Sequence, residues 1–131
     1  MFKLGNRSLE RLSGVKPQLV EVVKLAITVT EVDFGVTEGL RTLEQQRQYV
    51  AAKKSWTMNS KHLTGDAVDL HPIANGKADY TKCHIVKEAM FKAADTLGVR
   101  IKWGGDWNQN GSSADEHQRG SYDGPHFELL E

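Results

Sequence analysis

At 131 residues the chain can bury one hydrophobic core without disulfide or metal staples and is short for two separately folded units, so a single domain over 1–131 is expected. Seventeen basic residues balance seventeen acidic ones, which argues against a broad electrostatic grip on nucleic acid or anionic lipid. The lone cysteine, Cys83, excludes an internal disulfide and a thiolate cluster, leaving histidine and carboxylate as the ligands of any zinc.

The amino-terminal stretch MFKLGNRSLERL lacks the apolar core of a secretory signal, and no window approaches the ~18 apolar residues of a membrane span. Synthesis in a cytoplasm without the usual export signal is therefore expected. VKPQLVEVVKLAIT reads as a helix, with Pro17 in the first turn and Leu19, Val22, Val23, Ala26 and Ile27 at helical spacing. FGVTEG is a short strand ending at Gly39. Thr42 and Gln45 have capping-box spacing and start a second helix whose apolar side includes Leu43, Val50 and Ala51. WTMNSKHLTG is a loop and DAVDLHPI a strand, in which alternation puts Ala67, Asp69 and His71 on one face and Val68 and Leu70 on the other. ANGKADYT is a turn with a short polar connection. From Lys82 to Leu97 an apolar stripe of Ile85, Val86, Ala89, Met90, Ala93, Ala94 and Leu97 marks a third helix carrying Cys83, capped by Gly98. VRIKW is a strand, residues 104–125 form a long polar loop, and HFELL is the last strand. Strands interleaved with helices predict a compact α+β domain with a small, mostly antiparallel sheet and flanking helices.

Five histidines are present, and the setting of two gives them chemistry. Gly65 lets the chain bend so that His62 and Asp69 converge, although their odd offset would oppose them in one straight strand. The Gly124–Pro125 turn likewise brings Asp123 and His126 to one pocket. Two histidines and one carboxylate leave a fourth zinc position open for water, and a second carboxylate beside it can take the water's proton. Asp69 and His71 share a face, and spacing leaves either as the middle ligand.

The chain resembles the D-alanyl-D-alanine metallopeptidases and their phage relatives, the L-alanyl-D-glutamate peptidase endolysins. The pattern Ser-x-His-x-x-Gly-x-Ala-x-Asp stands complete as Ser60, His62, Gly65, Ala67 and Asp69, followed by Asp123 three positions before His126, with Arg41 at the start of a helix after a strand. The resemblance implies the fold shared with the Hedgehog signalling domain. It further implies zinc on His62, Asp69 and His126, Asp123 as general base and acid, and Arg41 polarising the scissile carbonyl or holding a substrate carboxylate. It chooses Asp69 over His71, leaving His71 with Ser60, Trp103 and Trp107 as candidate substrate contacts.

The Asp-Gly-Pro-His form and the short chain most resemble an endolysin that cleaves the L-alanyl-D-glutamate bond of the peptidoglycan stem peptide. Such an enzyme is made in the host cytoplasm and reaches the wall after a holin opens the membrane. On this reading it is a monomer with no stable membrane association, and no separate wall-binding domain is seen. The alternatives are a D,D-carboxypeptidase or dipeptidase of the same fold, or a non-catalytic zinc-containing binding module. Residues 106–117 partly match a calcium loop, with Asp106, Asn108 and Asn110 at its first, third and fifth positions and Asp115 and Glu116 near its end. The twelfth position is His117 rather than glutamate, so Ca2+ is a candidate regulatory ion beside Zn2+.

Overall fold

A computed structural model describes residues 2–53, 60–107, 109, 112, 114 and 122–130. Helix α1 (Asn6–Arg11) is followed by α2 (Pro17–Val29), β1 (Asp33–Glu38), α3 (Leu43–Ala51), a 3-10 turn (Lys61–Thr64) and β2 (Ala67–Ala74). Then come β3 (Lys77–Ala78), a second 3-10 turn (Tyr80–Lys82), α4 (Cys83–Leu97), β4 (Ile101–Trp103) and β5 (His126–Leu129). The sheet runs β1-β2-β5-β4, with β3 added to β2, and every described pairing is antiparallel. The expected α+β architecture holds.

One face of the sheet carries the core. Phe34, Val36, Val68, Leu70, Phe127, Ile101 and Trp103 pack against the buried stripes of α2 (Leu19, Val22, Val23, Ala26, Ile27) and α4 (Val86, Ala89, Met90, Ala93, Ala94). Apolar area removed from water at about 25 cal/mol per Å2 is what holds this layer together. Pro17 opens α2, and Gly98, in the left-handed region at φ 69°, closes α4. The α4 stripe ends sooner than its sequence implies, because Leu97 lies in the last turn and is exposed.

Three further elements depart from expectation. Helix α1 forms within a stretch to which the sequence assigned no element, and it covers the outer edge of β1. There Ser8 Oγ accepts from Val36 N at 2.9 Å and Arg11 Nη1 donates to Val36 O at 2.9 Å, satisfying edge groups that would otherwise invite another strand. The polar connection after β2 is a tight hairpin: Asn75 and Gly76, both at positive φ, form the two-residue turn between Ala74 and Lys77. Helix α3 starts at the expected Thr42–Gln45 capping box. Its apolar residues do not face the core, for Leu43 and Ala51 are exposed and Val50 half-buried, while Gln46 is the buried position.

Candidate metal centre and active site

The second face of the sheet is polar, and long-range register builds it. Asp69 of β2 stands opposite His126 of β5. On its other side it stands opposite Glu38 of β1, because a bulge between Val36 and Glu38 shifts the register by one. Without that shift Glu38 would share the core face with Val36; the bulge re-aims it beside Asp69. His62 arrives from the 3-10 turn, whose first turn is capped by Ser60 Oγ accepting from His62 N at 3.2 Å. Gly65, at φ 76°, ends that turn in the left-handed region and sends the chain into β2. A side chain there would also meet Gly14 O at 2.4 Å.

These elements bring one donor atom each from His62, Asp69 and His126 within 4.8 Å of one another. His62 Nε2 and His126 Nδ1 both lie 3.2 Å from Asp69 Oδ1. Two ligands of a tetrahedral ion bound at about 2.0–2.1 Å stand about 3.3 Å apart, so the spacing suits a small ion such as zinc. The opposite ring nitrogens are engaged. His62 Nδ1 faces the Gly39 carbonyl at 2.8 Å and His126 Nε2 faces Glu128 Oε1 at 2.9 Å. A carbonyl and a carboxylate only accept, so those nitrogens carry the protons, and in the neutral rings both lone pairs point at Asp69. Two lone pairs aimed at a carboxylate with nothing positive between them repel, and a bound cation resolves that repulsion.

The electrostatics agree. Burial alone would lower the His126 pKa, but hydrogen bonds with Asp69 and Glu128 outweigh it and raise the pKa to about 9. Burial opposes the Asp69 charge, yet the two histidines hold its carboxyl well below the usual range. The three residues therefore fit a divalent metal in donor chemistry, spacing and charge.

Asp123 approaches from the β4–β5 side. Its N–H donates to Gly104 O at 2.9 Å, its carbonyl accepts from His126 N at 3.1 Å, and Gly104 N donates to His126 O at 2.8 Å. Gly104 has to be glycine: a Cβ there would lie 2.3 Å from Asp123 O and about equally close, 3.0 and 3.1 Å, to the Cβ atoms of His126 and Asp123. Both Cβ atoms flank Gly104, and Asp123 feels the charges of Asp69, His126 and His62. Asp123 retains solvent access. Protein crowds one side of its carboxylate all the same, and that crowding, with the negative charge of Asp69, raises its pKa.

Arg41 is buried and does not behave as an exposed arginine ahead of a helix. Glu38 grips it through two oxygens, Nε to Oε1 at 2.6 Å and Nη2 to Oε2 at 2.7 Å. Nη1 donates to Gln46 Oε1 and, at 3.4 Å, to Ser60 Oγ, and the guanidinium lies 4.5 Å above the Tyr49 ring. Arg41 N also donates to His62 O at 2.9 Å, tying this cluster to the metal-site turn. Burial would lower the Arg41 pKa; the bond to Glu38 raises it further.

The remaining sequence candidates divide. His71 shares the Asp69 face but is not among the converging donors; its ring lies over Gly35 beside Ser8, its Nδ1 has no hydrogen-bond partner among the described residues, and burial lowers its pKa. Trp103 is a correction. It points to the core face, opposite the direction of Lys102, with Nε1 donating to Gly124 O at 2.7 Å and its ring edge-on to Tyr122, so it cannot line a cleft on the site face. Trp107 is half-buried with its ring 5.2 Å from the His126 ring, forming a wall of the site. Of the candidate calcium ligands only Asp106 is described, in a turn where it receives Gln109 N at 3.1 Å on its carbonyl; Asn108, Asn110, Asp115 and Glu116 lie outside the described residues.

Sequence reasoning missed Glu38, Gln46 and Glu128. Gln46 had no reliable signal, because Leu43 and Val50 at helical spacing from it do not face the core, whereas Glu128 follows His126 by two on one strand face. Glu38 had no such signal, because the bulge reverses its face.

An antiparallel α+β domain that gathers two histidines, one aspartate and a neighbouring acid on one sheet face presents a site that fits a divalent metal. The chain matches the family model of the phage L-alanyl-D-glutamate peptidases over residues 1–130, and it belongs to that peptidase family. It is 40% identical over 135 residues to the L-alanyl-D-glutamate peptidase of Escherichia phage T5, covering 98% of both chains. A Listeria phage A118 enzyme of the same name is 37% identical over 100 residues, which is 75% of this chain and 31% of that one. Among solved structures, the Serratia marcescens L-Ala D-Glu endopeptidase ChiX superposes with a TM-score of 0.81 at 37% identity, over 98% of this chain and 90% of ChiX. The vancomycin-resistance D,D-dipeptidase VanXYg shares the fold at a TM-score of 0.57 and 20% identity, over 88% of this chain and 50% of its own.

Proposed function

We propose that this protein is a zinc-dependent peptidoglycan endopeptidase that hydrolyses the bond between L-alanine and D-glutamate in the stem peptide, and that it serves in host-cell lysis. The observation that carries this reading is the convergence of His62 Nε2, Asp69 Oδ1 and His126 Nδ1 with both opposite ring nitrogens pinned, in a chain of this peptidase family. On this reading the enzyme is made in the host cytoplasm and gains the wall once a holin opens the inner membrane.

His62, Asp69 and His126 would hold the zinc, which when bound would supply Lewis-acid polarisation and lower the pKa of a water. Asp123 would take the proton of an attacking water as the water oxygen bonds to the alanyl carbonyl carbon. It then returns the proton to the glutamate nitrogen as the C–N bond breaks. Arg41 supplies fixed positive charge beside the site for the oxyanion or a substrate carboxylate, and Glu38, Gln46 and Ser60 hold its guanidinium in place so that little reorganises during reaction. The Trp107 ring packs 5.2 Å from the His126 ring.

Mass spectrometry of products from purified peptidoglycan tests the reading. New amino-terminal D-glutamate, lost on chelation and regained with zinc, is expected. Released D-alanine would assign the carboxypeptidase reaction instead, and no product from zinc-loaded protein would favour a binding module.

A further inference from the structure

The two histidines of the site are oriented by different means. His62 is held by a backbone carbonyl, that of Gly39, and no side-chain substitution can remove that acceptor. His126 is held by a side chain, Glu128, which strand alternation sets on the same face of β5. Glu128 Oε1 accepts from His126 Nε2 at 2.9 Å, and Oε2 lies 3.7 Å from Lys61 Nζ. Lys61 Nζ also donates to Leu129 O at 3.2 Å. Lys61 belongs to the 3-10 turn that carries His62, so one ion pair links the supports of both histidines.

We infer that Glu128 is a positioning residue that selects the His126 tautomer able to bind metal, with Lys61 holding Glu128 in place. The inference rests on the zinc reading above. A neutral imidazole has one N–H, and an acceptor-only carboxylate at Nε2 fixes it there, leaving the Nδ1 lone pair for the metal. Without Glu128 the other tautomer becomes favourable, because an N–H on Nδ1 would find Asp69 Oδ1 at 3.2 Å. That bond would occupy two zinc donors at once. Both Glu128 oxygens are engaged, Oε1 by His126 and Oε2 by the ion pair with Lys61, which fixes the direction of the carboxylate.

The test is zinc affinity by competition with a chromophoric chelator, on the unaltered chain, Glu128→Gln and Glu128→Ala, with thermal unfolding of each metal-free protein as the fold control. Loss of a partner of this kind weakens metal binding about 10- to 100-fold, the loss expected for Glu128→Ala. Glu128→Gln keeps the shape and one acceptor oxygen, so it folds and falls between. Equal affinity in all three overturns the inference. An unaltered chain that binds no zinc overturns the zinc reading and this inference with it, and the first titration alone separates that failure from the other.

Discussion

The two faces of one sheet obey different rules. Along β2, Val68 and Leu70 turn toward α2 and α4, and any apolar side chain of similar volume would keep that layer closed. Asp69, between them, turns the other way and meets partners from β1, β5 and the 3-10 turn, none of them near it in sequence except His62. The core face tolerates chemical variation and resists loss of volume. The site face tolerates little chemical change and contributes little to burial. Stability and activity should therefore respond to different substitutions.

The largest effect on folding belongs to the core face. Phe127→Ala, at a fully buried position beside His126, is expected to cost about 3–5 kcal/mol in denaturant unfolding. On the site face the opposite holds: Asp123→Ala should keep fold and zinc while kcat/KM falls about 10²- to 10⁴-fold on stem peptide. A fully active Asp123→Ala protein would remove Asp123 from the mechanism.

Gly104→Ala sharpens the comparison, since it touches both Asp123 and His126 without changing either. The added Cβ forces the Asp123 carbonyl away from 2.3 Å, and a misplacement approaching 1 Å costs on the order of 100-fold in rate. Kinetics with zinc content measured in parallel would show lower kcat with metal retained.

Smaller effects follow from ionisation. In the metal-free protein the Asp123 pKa is raised, so the folded state prefers its protonated form. The stability tied to that preference is present at low pH and is lost as pH rises from the ordinary aspartate range through the raised value. Asp123→Asn should consequently melt higher than the unaltered chain at pH 7 in chelator, with the advantage gone near pH 3. Smallest of all, burial pushes the Cys83 thiol up to about 11. A thiol reagent at pH 8 should label it in denaturant and leave the folded protein untouched.

The same contrast explains what could be read from the residues. The stripes of α2 and α4, the Thr42–Gln45 cap and the alternation in β2 are local patterns and translate directly into structure. The motif residues His62, Asp69 and His126 came with a resemblance, and their convergence depends on pairing between β2 and β5, 57 positions apart for Asp69 and His126. The turn after β2 was expected but not its tight Asn75–Gly76 hairpin, and Trp103, expected to contact substrate, faces the core instead, as its alternation with Lys102 dictates. The hold of Glu38 on Arg41 was not legible, because a single-residue bulge decides which face Glu38 joins.

The central claim is that His62, Asp69 and His126 together hold one zinc that the reaction requires. Zinc content by native mass spectrometry of the unaltered chain, Asp69→Ala and Asp123→Ala tests it most directly. One zinc per chain in the unaltered protein and in Asp123→Ala, with none in Asp69→Ala, is the predicted result. Zinc retained in full by Asp69→Ala would contradict the account.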